Sequence, residues 1–261
     1  MNVLVILKMV PDVVEELEVA ENGAALDVEA ARMMLSESDD HALEEALLLK
    51  ERLGGKVTVV ALDAPDVDEA LYTALAKGAD RVVKIEGLDQ PLTTSLAAAA
   101  VCEVLRTQPD LLPADLILTG AQAIDDLDGL MAPLVAHHLR LPYLGVITGV
   151  AADEAAKFAT VVKEYSGGVR GEFEVPLPAV LGVQSAERPP RYVPVAKIRA
   201  VMKTGRIETA AAPVMADGGL ALTEVLALNK PEEAGGAEIL SGAPEEAAGK
   251  LCGVLAERGV L

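Results

Sequence analysis

The sequence predicts an α/β fold: a parallel sheet of nucleotide-binding type covered by helices, with a late β-hairpin and an extended C-terminal arm. Three observations carry this. Apolar runs and helical periodicity alternate through the first 150 residues, at connection lengths that parallel strands require. The apolar runs are continuous rather than alternating, the mark of strands buried on both faces. Of the 261 residues, 51% are hydrophobic but only 2% aromatic, so the core must be built from Leu, Val, Ala and Ile.

The elements follow in order. Residues 2–7 are a buried strand, ended by Lys8, Pro11 and Asp12. Residues 13–28 carry the turn dipeptide Asn22-Gly23 and predict a hairpin-like excursion. Ser36 to Asp40 is a run of capping residues before a helix over about 41–52, with the stripe Ala42, Leu43, Ala46, Leu47 and Leu49 and a stop at Gly54-Gly55. A second strand over 57–62 closes at Asp63 and Pro65. A helix over 67–77 ends at Gly78, a third strand covers 81–85, and an alanine-rich helix covers 93–106. The fourth strand, 116–118, runs into Thr119 and Gly120, and helical spacing resumes from about Gly129. Residues 144–150 make a fifth strand.

After Ala151 the pattern changes. Runs over 160–165 and 172–175 flank Gly167-Gly168 and predict an antiparallel hairpin. Residues 179–183 are apolar, 187–192 are irregular, and 197–203 predict a short helix. Beyond Thr209 the chain is rich in Ala, Gly and Pro, with too few bulky apolar residues for a core of its own until a helical pattern at 244–258. The expected organisation is a domain over 1–185, a loop and short helix over 186–206, and an arm over 207–261.

A net charge of −19 argues against nucleic-acid or anionic-membrane partners, which need clustered Lys and Arg. No apolar run approaches the roughly 20 residues that span a bilayer. The start enters a strand without the features of a signal peptide, so a cytoplasmic location is expected. Cys102 and Cys252 are too few and too far apart for a disulfide framework or a zinc site, and read as reduced thiols.

The chemistry points to strand ends. In a parallel sheet Lys8, Ser36 to Asp39, Asp63 and the stretch from Gly120 to Gly129 converge on one edge. Gly120 lets a ligand approach the backbone, and the next helix start offers unpaired amides that suit a phosphate. Gln122 and the consecutive acids Asp125 and Asp126 exceed what a helix cap requires. Other signals are weaker. Ser166-Gly167-Gly168 reads as a hairpin turn. His137 and His138 point roughly 100° apart on a helix and share no metal. His41 reads as a solvated first-turn residue. There is no Walker A loop, no G-x-G-x-x-G and no nucleophile setting, hence no catalytic constellation.

The sequence resembles the β subunit of electron transfer flavoproteins. The likeness rests on the opening strand to Lys8, Leu43-Glu-Glu-Ala46, Leu49-Lys-Glu51, Thr73-Ala-Leu-Ala-Lys-Gly-Ala-Asp-Arg81 and Gly120-Ala-Gln-Ala-Ile-Asp-Asp126. It continues through the Gly167-Gly168 hairpin, Leu177-Pro-Ala-Val180 and Pro190-Arg-Tyr192. It implies an adenine nucleotide α-hydrolase-like, Rossmann-like fold and a carrier without independent catalysis. This chain would bind a structural AMP, and an α subunit would hold most of the FAD site. Electrons would pass from acyl-CoA and related dehydrogenases to a membrane quinone reductase. The family's AMP positions correspond to Ile6, Ser36, Glu37, Ser38, Asp39, Asp63, Gly120, Ala121, Gln122, Ala123, Ile124, Asp125, Asp126, Leu127, Asp128, Gly129, Leu130 and Met131. Residues 183–206 correspond to the segment that docks dehydrogenases, and the tail to the arm that embraces the α subunit.

The chain departs from the family at several places. Leu127, Gly129, Leu130 and Met131 offer mainly backbone amides where relatives carry polar phosphate contacts. Val13 and Ser38 stand where some members bring aromatics to the flavin. Glu187 falls near the apolar docking anchor, and Ser166 replaces an acid. Two alternatives stay open: a bifurcating relative with a second FAD in the AMP pocket, and a stand-alone nucleotide-binding regulator resembling universal stress proteins.

Overall fold

A computed structural model describes residues 1–28, 31–88, 92–126, 128–152, 157–213, 225–231 and 236–261. Twelve strands and six α-helices occur among them: β1 (Asn2–Leu7), β2 (Met9–Pro11), β3 (Met33–Leu35), α1 (Glu37–Leu53), β4 (Lys56–Leu62), α2 (Val67–Lys77), β5 (Arg81–Glu86), α3 (Thr94–Thr107) and β6 (Leu116–Gly120). Then come α4 (Met131–Leu139), β7 (Tyr143–Ile147), β8 (Val150–Ala152), β9 (Phe158–Tyr165), β10 (Val169–Pro176), β11 (Ala179–Val183), α5 (Val195–Thr204), β12 (Glu208–Ala211) and α6 (Pro244–Glu257). The chain divides into two compact units, Met1–Leu228 and Asn229–Leu261.

In the first unit seven parallel strands form one sheet in the order β12-β5-β4-β1-β6-β11-β7. The inner strands β1, β6 and β11 are buried along almost their whole length, and helices cover both faces of the sheet there. Val3, Val5 and Leu7 pack with Leu43, Leu47, Leu71 and Ala74 of α1 and α2. Leu4 and Ile6 pack with Val101, Cys102, Leu105 and Val135 of α3 and α4 on the opposite face. This is the α/β architecture that the apolar runs predict.

Several boundaries differ from the sequence expectation, each for a local reason. Helix α1 starts at Glu37, not near residue 41, so the capping run forms its first turn; acids there complement the free amides and the positive end of the dipole. Helix α4 starts two residues later than expected, because Gly129 adopts φ 60° just before it. The fifth run splits: β7 ends at Ile147, and β8 joins β9 and β10 in a separate antiparallel sheet. Positive φ at Val146, φ 61°, and a register shift at Gly182/Val183 mark where the main ladder turns irregular. The apolar run at 179–183 becomes a central strand, β11, inserted between β6 and β7.

The hairpin β9–β10 turns through Ser166–Gly168, with Gly167 at φ 78°. The excursion after β2 is also a hairpin, closed by an antiparallel bridge between Val19 and Leu26. The short ribbon of β2 and β3 was not anticipated, because three residues carry no usable periodicity. Nor was β12, in the weakly patterned region after residue 206, which pairs with β5 and ties its Glu208 to Arg81 at 2.7 Å. In the second unit α6 carries Leu251 and Val254, both exposed. Among the described residues no helix is long and apolar enough to cross a membrane.

Candidate functional site

The chain leaves β1 through α1 toward β4, then returns from β5 through α3 to β6 on the other side of β1. The connections therefore diverge at the carboxyl ends of β1 and β6, where an open sheet presents a crevice. That crevice is lined by Ile6, Lys8, Ser38, Asp39, Gly120, Ala121, Gln122, Ala123, Asp126, Gly129 and Met131.

Asp39, in the first turn of α1, is 5% exposed. Its Oδ1 accepts the Gly120 N–H at 2.6 Å and its Oδ2 the Lys8 N–H at 3.2 Å, fastening the helix to both strand ends. Burial pushes its carboxyl up to about 6, against the lowering effect of bonds from Gly120, Ser36 and Lys8. Gly120 must be glycine here: a Cβ would lie 2.8 Å from Asp39 Oδ1 and overlap the Ser38 hydroxyl. A Cβ on Gly129 would likewise lie 2.9 Å from the Ala121 carbonyl oxygen.

The Lys8 ammonium donates to Asp125 Oδ1 at 2.6 Å and Asp126 Oδ2 at 3.0 Å. Burial alone would lower its pKa, but these bonds and charges outweigh that and hold it above the usual lysine value. Ser38 Oγ donates to the Gln122 carbonyl at 2.7 Å, and Asp126 Oδ1 accepts the Ala123 N–H at 3.3 Å. Asp128 Oδ1 accepts the Leu130 N–H at 3.0 Å, which sets up the start of α4. Pro133 brings no N–H to that first turn, so its unpaired amides come from Met131 and Ala132.

Of the expected ligand residues, Ile6, Ser38, Asp39, Gly120 to Ala123, Asp126, Gly129 and Met131 stand on the wall of the crevice. The other described ones do not line it. Ser36 precedes α1 and donates its N–H to the Lys8 carbonyl at 3.0 Å. Glu37 lines a second, larger cleft beside β3, α1 and α2. Asp63 ends β4, its carboxylate 3.6 Å from Lys84 Nζ. Ile124 is exposed, Asp125 reaches Lys8, and Asp128 and Leu130 form the turn before α4. Leu127 lies outside the described residues. Lys8, absent from the expected ligand set, lines the wall; its signal was the first charge after a buried run.

A second arrangement escaped the sequence reading. Helix α1 carries acids and a histidine that hold the segment 186–191. His41 Nδ1 accepts the Ala186 N–H at 3.1 Å, so it is not simply solvated. The fully buried Glu45 carboxylate accepts the N–H groups of Val150 and Glu187, each at 3.0 Å; burial raises its pKa and these bonds oppose the rise. Glu44 accepts from the Arg191 guanidinium at 2.8–3.0 Å and from its N–H at 3.0 Å. Burial would raise Glu44, but the Arg191 bonds win and hold it below the usual glutamate value. Arg191 also reaches Glu51 at 2.6 Å, and Arg52 reaches Glu187 at 2.9 Å. The legible signal was Glu44-Glu45 embedded in an apolar stripe, where solvated acids do not belong.

Among the described residues no group of three potential metal ligands occurs. Cys102 is buried, which pushes its thiol up to about 12, while Cys252 is exposed; both are free.

Comparison with known proteins gives a consistent answer. A family model described as electron transfer flavoprotein domain matches residues 25–215. The electron transfer flavoprotein subunit beta of Methylophilus methylotrophus is 30% identical, over 98% of each chain. The proteins of the same name from Clostridium acetobutylicum and Bacillus subtilis are 33% and 32% identical. These alignments cover 76% and 74% of this chain, and 74% and 72% of theirs. The switch-point crevice and this similarity agree, and the chain belongs to the electron transfer flavoprotein β-subunit family.

Proposed function

We propose that this chain is the β subunit of a heterodimeric electron carrier that binds AMP in the crevice between β1 and β6 and helps enclose an FAD held mainly by the α subunit. The observation that carries the reading is the crevice itself, at the sheet's switch point, with Ser38, Asp39 and Ala121 of its wall packed closely against Gly120 and Gly129, where a side chain would displace them. The amides of Met131 and Ala132 suit the phosphate, and the helix start favours its charge. Ser38, Asp126 and the backbone of 121–123 supply polar groups for ribose and adenine.

FAD, when bound, supplies the redox chemistry of the complex. This chain's share is positional. The segment 186–206 forms the docking face for acyl-CoA and related dehydrogenases: α1 holds its backbone, Tyr192 stands 84% exposed, and Lys197, Arg199 and Lys203 are exposed on α5. Electrons then leave for a membrane quinone reductase. The arm beyond β12 embraces the α subunit, with the exposed Leu251 and Val254 of α6 as anchoring side chains. The complex works in the cytoplasm as a carrier without catalysis of its own.

The test is the nucleotide content of the protein coexpressed with its α subunit. One AMP and one FAD per heterodimer support the reading; two FAD and no AMP overturn it in favour of a bifurcating carrier. Asp126→Ala should lower AMP retention without changing the flavin potential, and an unchanged AMP content would remove Asp126 from the site.

A further inference from the structure

Residues 121–126 are fastened across the crevice from β1 and α1. Ser38 Oγ donates to the Gln122 carbonyl at 2.7 Å, and the Lys8 ammonium spans Asp125 at 2.6 Å and Asp126 at 3.0 Å. The space left beneath is about 20 Å³, room for about one water molecule. Ligands of nucleotide size occupy pockets of roughly 300 Å³ or more. A nucleotide therefore gains the site only if a wall moves; residues 121–126 are the longest part of the wall outside helix and strand, and lifting them breaks those bonds.

Lys8 is well built to resist that. Its N–H is held by Asp39 and its carbonyl by the Ser36 N–H, so the ammonium extends from a fixed backbone. It makes charge-assisted bonds to two carboxylates that are themselves only 27% and 13% exposed, so solvent screens them incompletely. Gly129, at φ 60° beyond the far end of the segment, provides backbone that accommodates a change of angle.

We propose that Lys8 is a positioning residue that latches residues 121–126 as a lid over the crevice and sets the rate at which a nucleoside phosphate is admitted. This inference rests on the nucleotide-pocket reading. The latch makes the open, binding-competent form a minority, and weakening it raises the population that captures ligand.

The experiment uses the heterodimer freed of nucleotide, with AMP as the probe and rapid-mixing kinetics as the readout. Lys8→Met should speed AMP association about tenfold or more, the factor expected for losing a charge-assisted pair. Lys8→Arg, which keeps the charge, should stay within about twofold of the parent protein. Attraction of an anion by the ammonium, or direct binding of the phosphate by Lys8, predicts the opposite: Lys8→Met would associate more slowly or bind more weakly, and either result overturns the latch. An unchanged rate overturns it as well.

Should the parent protein bind no AMP, the nucleotide reading fails by itself. The lid is then judged by amide hydrogen exchange over 121–126 in the same heterodimer. Lys8→Met, or Asp125→Asn if the former does not fold, should raise exchange severalfold, and unchanged protection overturns the lid.

Discussion

Replacing Asp39 by asparagine removes a carboxylate that the fold holds in an unfavourable place. The group receives N–H bonds from Gly120 and Lys8 but is 5% exposed, and burial raises its pKa from 3.8 to about 6. At 1.36 kcal/mol per pKa unit, that displacement makes the ionised form about 3 kcal/mol less stable in the folded chain than in the unfolded one. Because the folded chain binds the proton more tightly, it holds more protons between about pH 4 and 6, and stability falls as pH rises through that window. Below about pH 3 both states are protonated and the favourable contribution is complete; above about pH 6 it is gone. The asparagine side chain does not titrate. It keeps one acceptor but sets an NH2 against the second N–H, a pH-independent cost of about 1 kcal/mol. The stability of the parent protein relative to Asp39→Asn should therefore decline by about 3 kcal/mol from about pH 3 to 7. Paired thermal melts of the two heterodimers isolate this group, because the other carboxylates cancel in the difference. At 2–4 °C per kcal/mol for chains of this size, the relative midpoint should move by roughly 6–12 °C. A difference that stays flat over this range would refute the account of Asp39.

Gly120→Ala places a Cβ 2.8 Å from Asp39 Oδ1, so it should cost about 1–3 kcal/mol by overpacking and reduce copurified AMP, measured by chromatography of released nucleotide. Glu44→Ala leaves the Arg191 guanidinium with Glu51 alone; a loss of about 2–4 kcal/mol and faster tryptic cleavage after Arg191 are expected, and unaltered digestion would dissociate Glu44 from loop order. In the native β chain one thiol, Cys252, should react promptly with a thiol reagent, with Cys102 following only on unfolding; two fast thiols would contradict the burial of α3.

The main strands and helices were legible because each carries many residues of one period. Helix α2 matches its expected span, for Gly78 has φ 131° and its N–H closes the last turn on Ala74 and Leu75. The crevice was partly legible, since strand ends in a parallel sheet share an edge. Which strand-end residues reach it was not. Asp63 and Asp39 look alike in sequence, yet one sits at the end of β4 beside Lys84 and the other bridges Gly120 to Lys8.

Local pattern thus determined the class of fold, the parallel sheet, the late hairpin and the region of the crevice, because periodicity and turn chemistry act over a few neighbouring residues. Tertiary structure alone decided what depends on distant partners. It inserted β11 between β6 and β7, recruited β12 to the edge beyond β5, set Lys8 against Asp125 and Asp126, and gave Glu44 and Glu45 their partners more than 100 residues away. Those pairings are not local: a buried carboxylate must find donors wherever the packed chain brings them, and nothing in its own neighbourhood names which they will be.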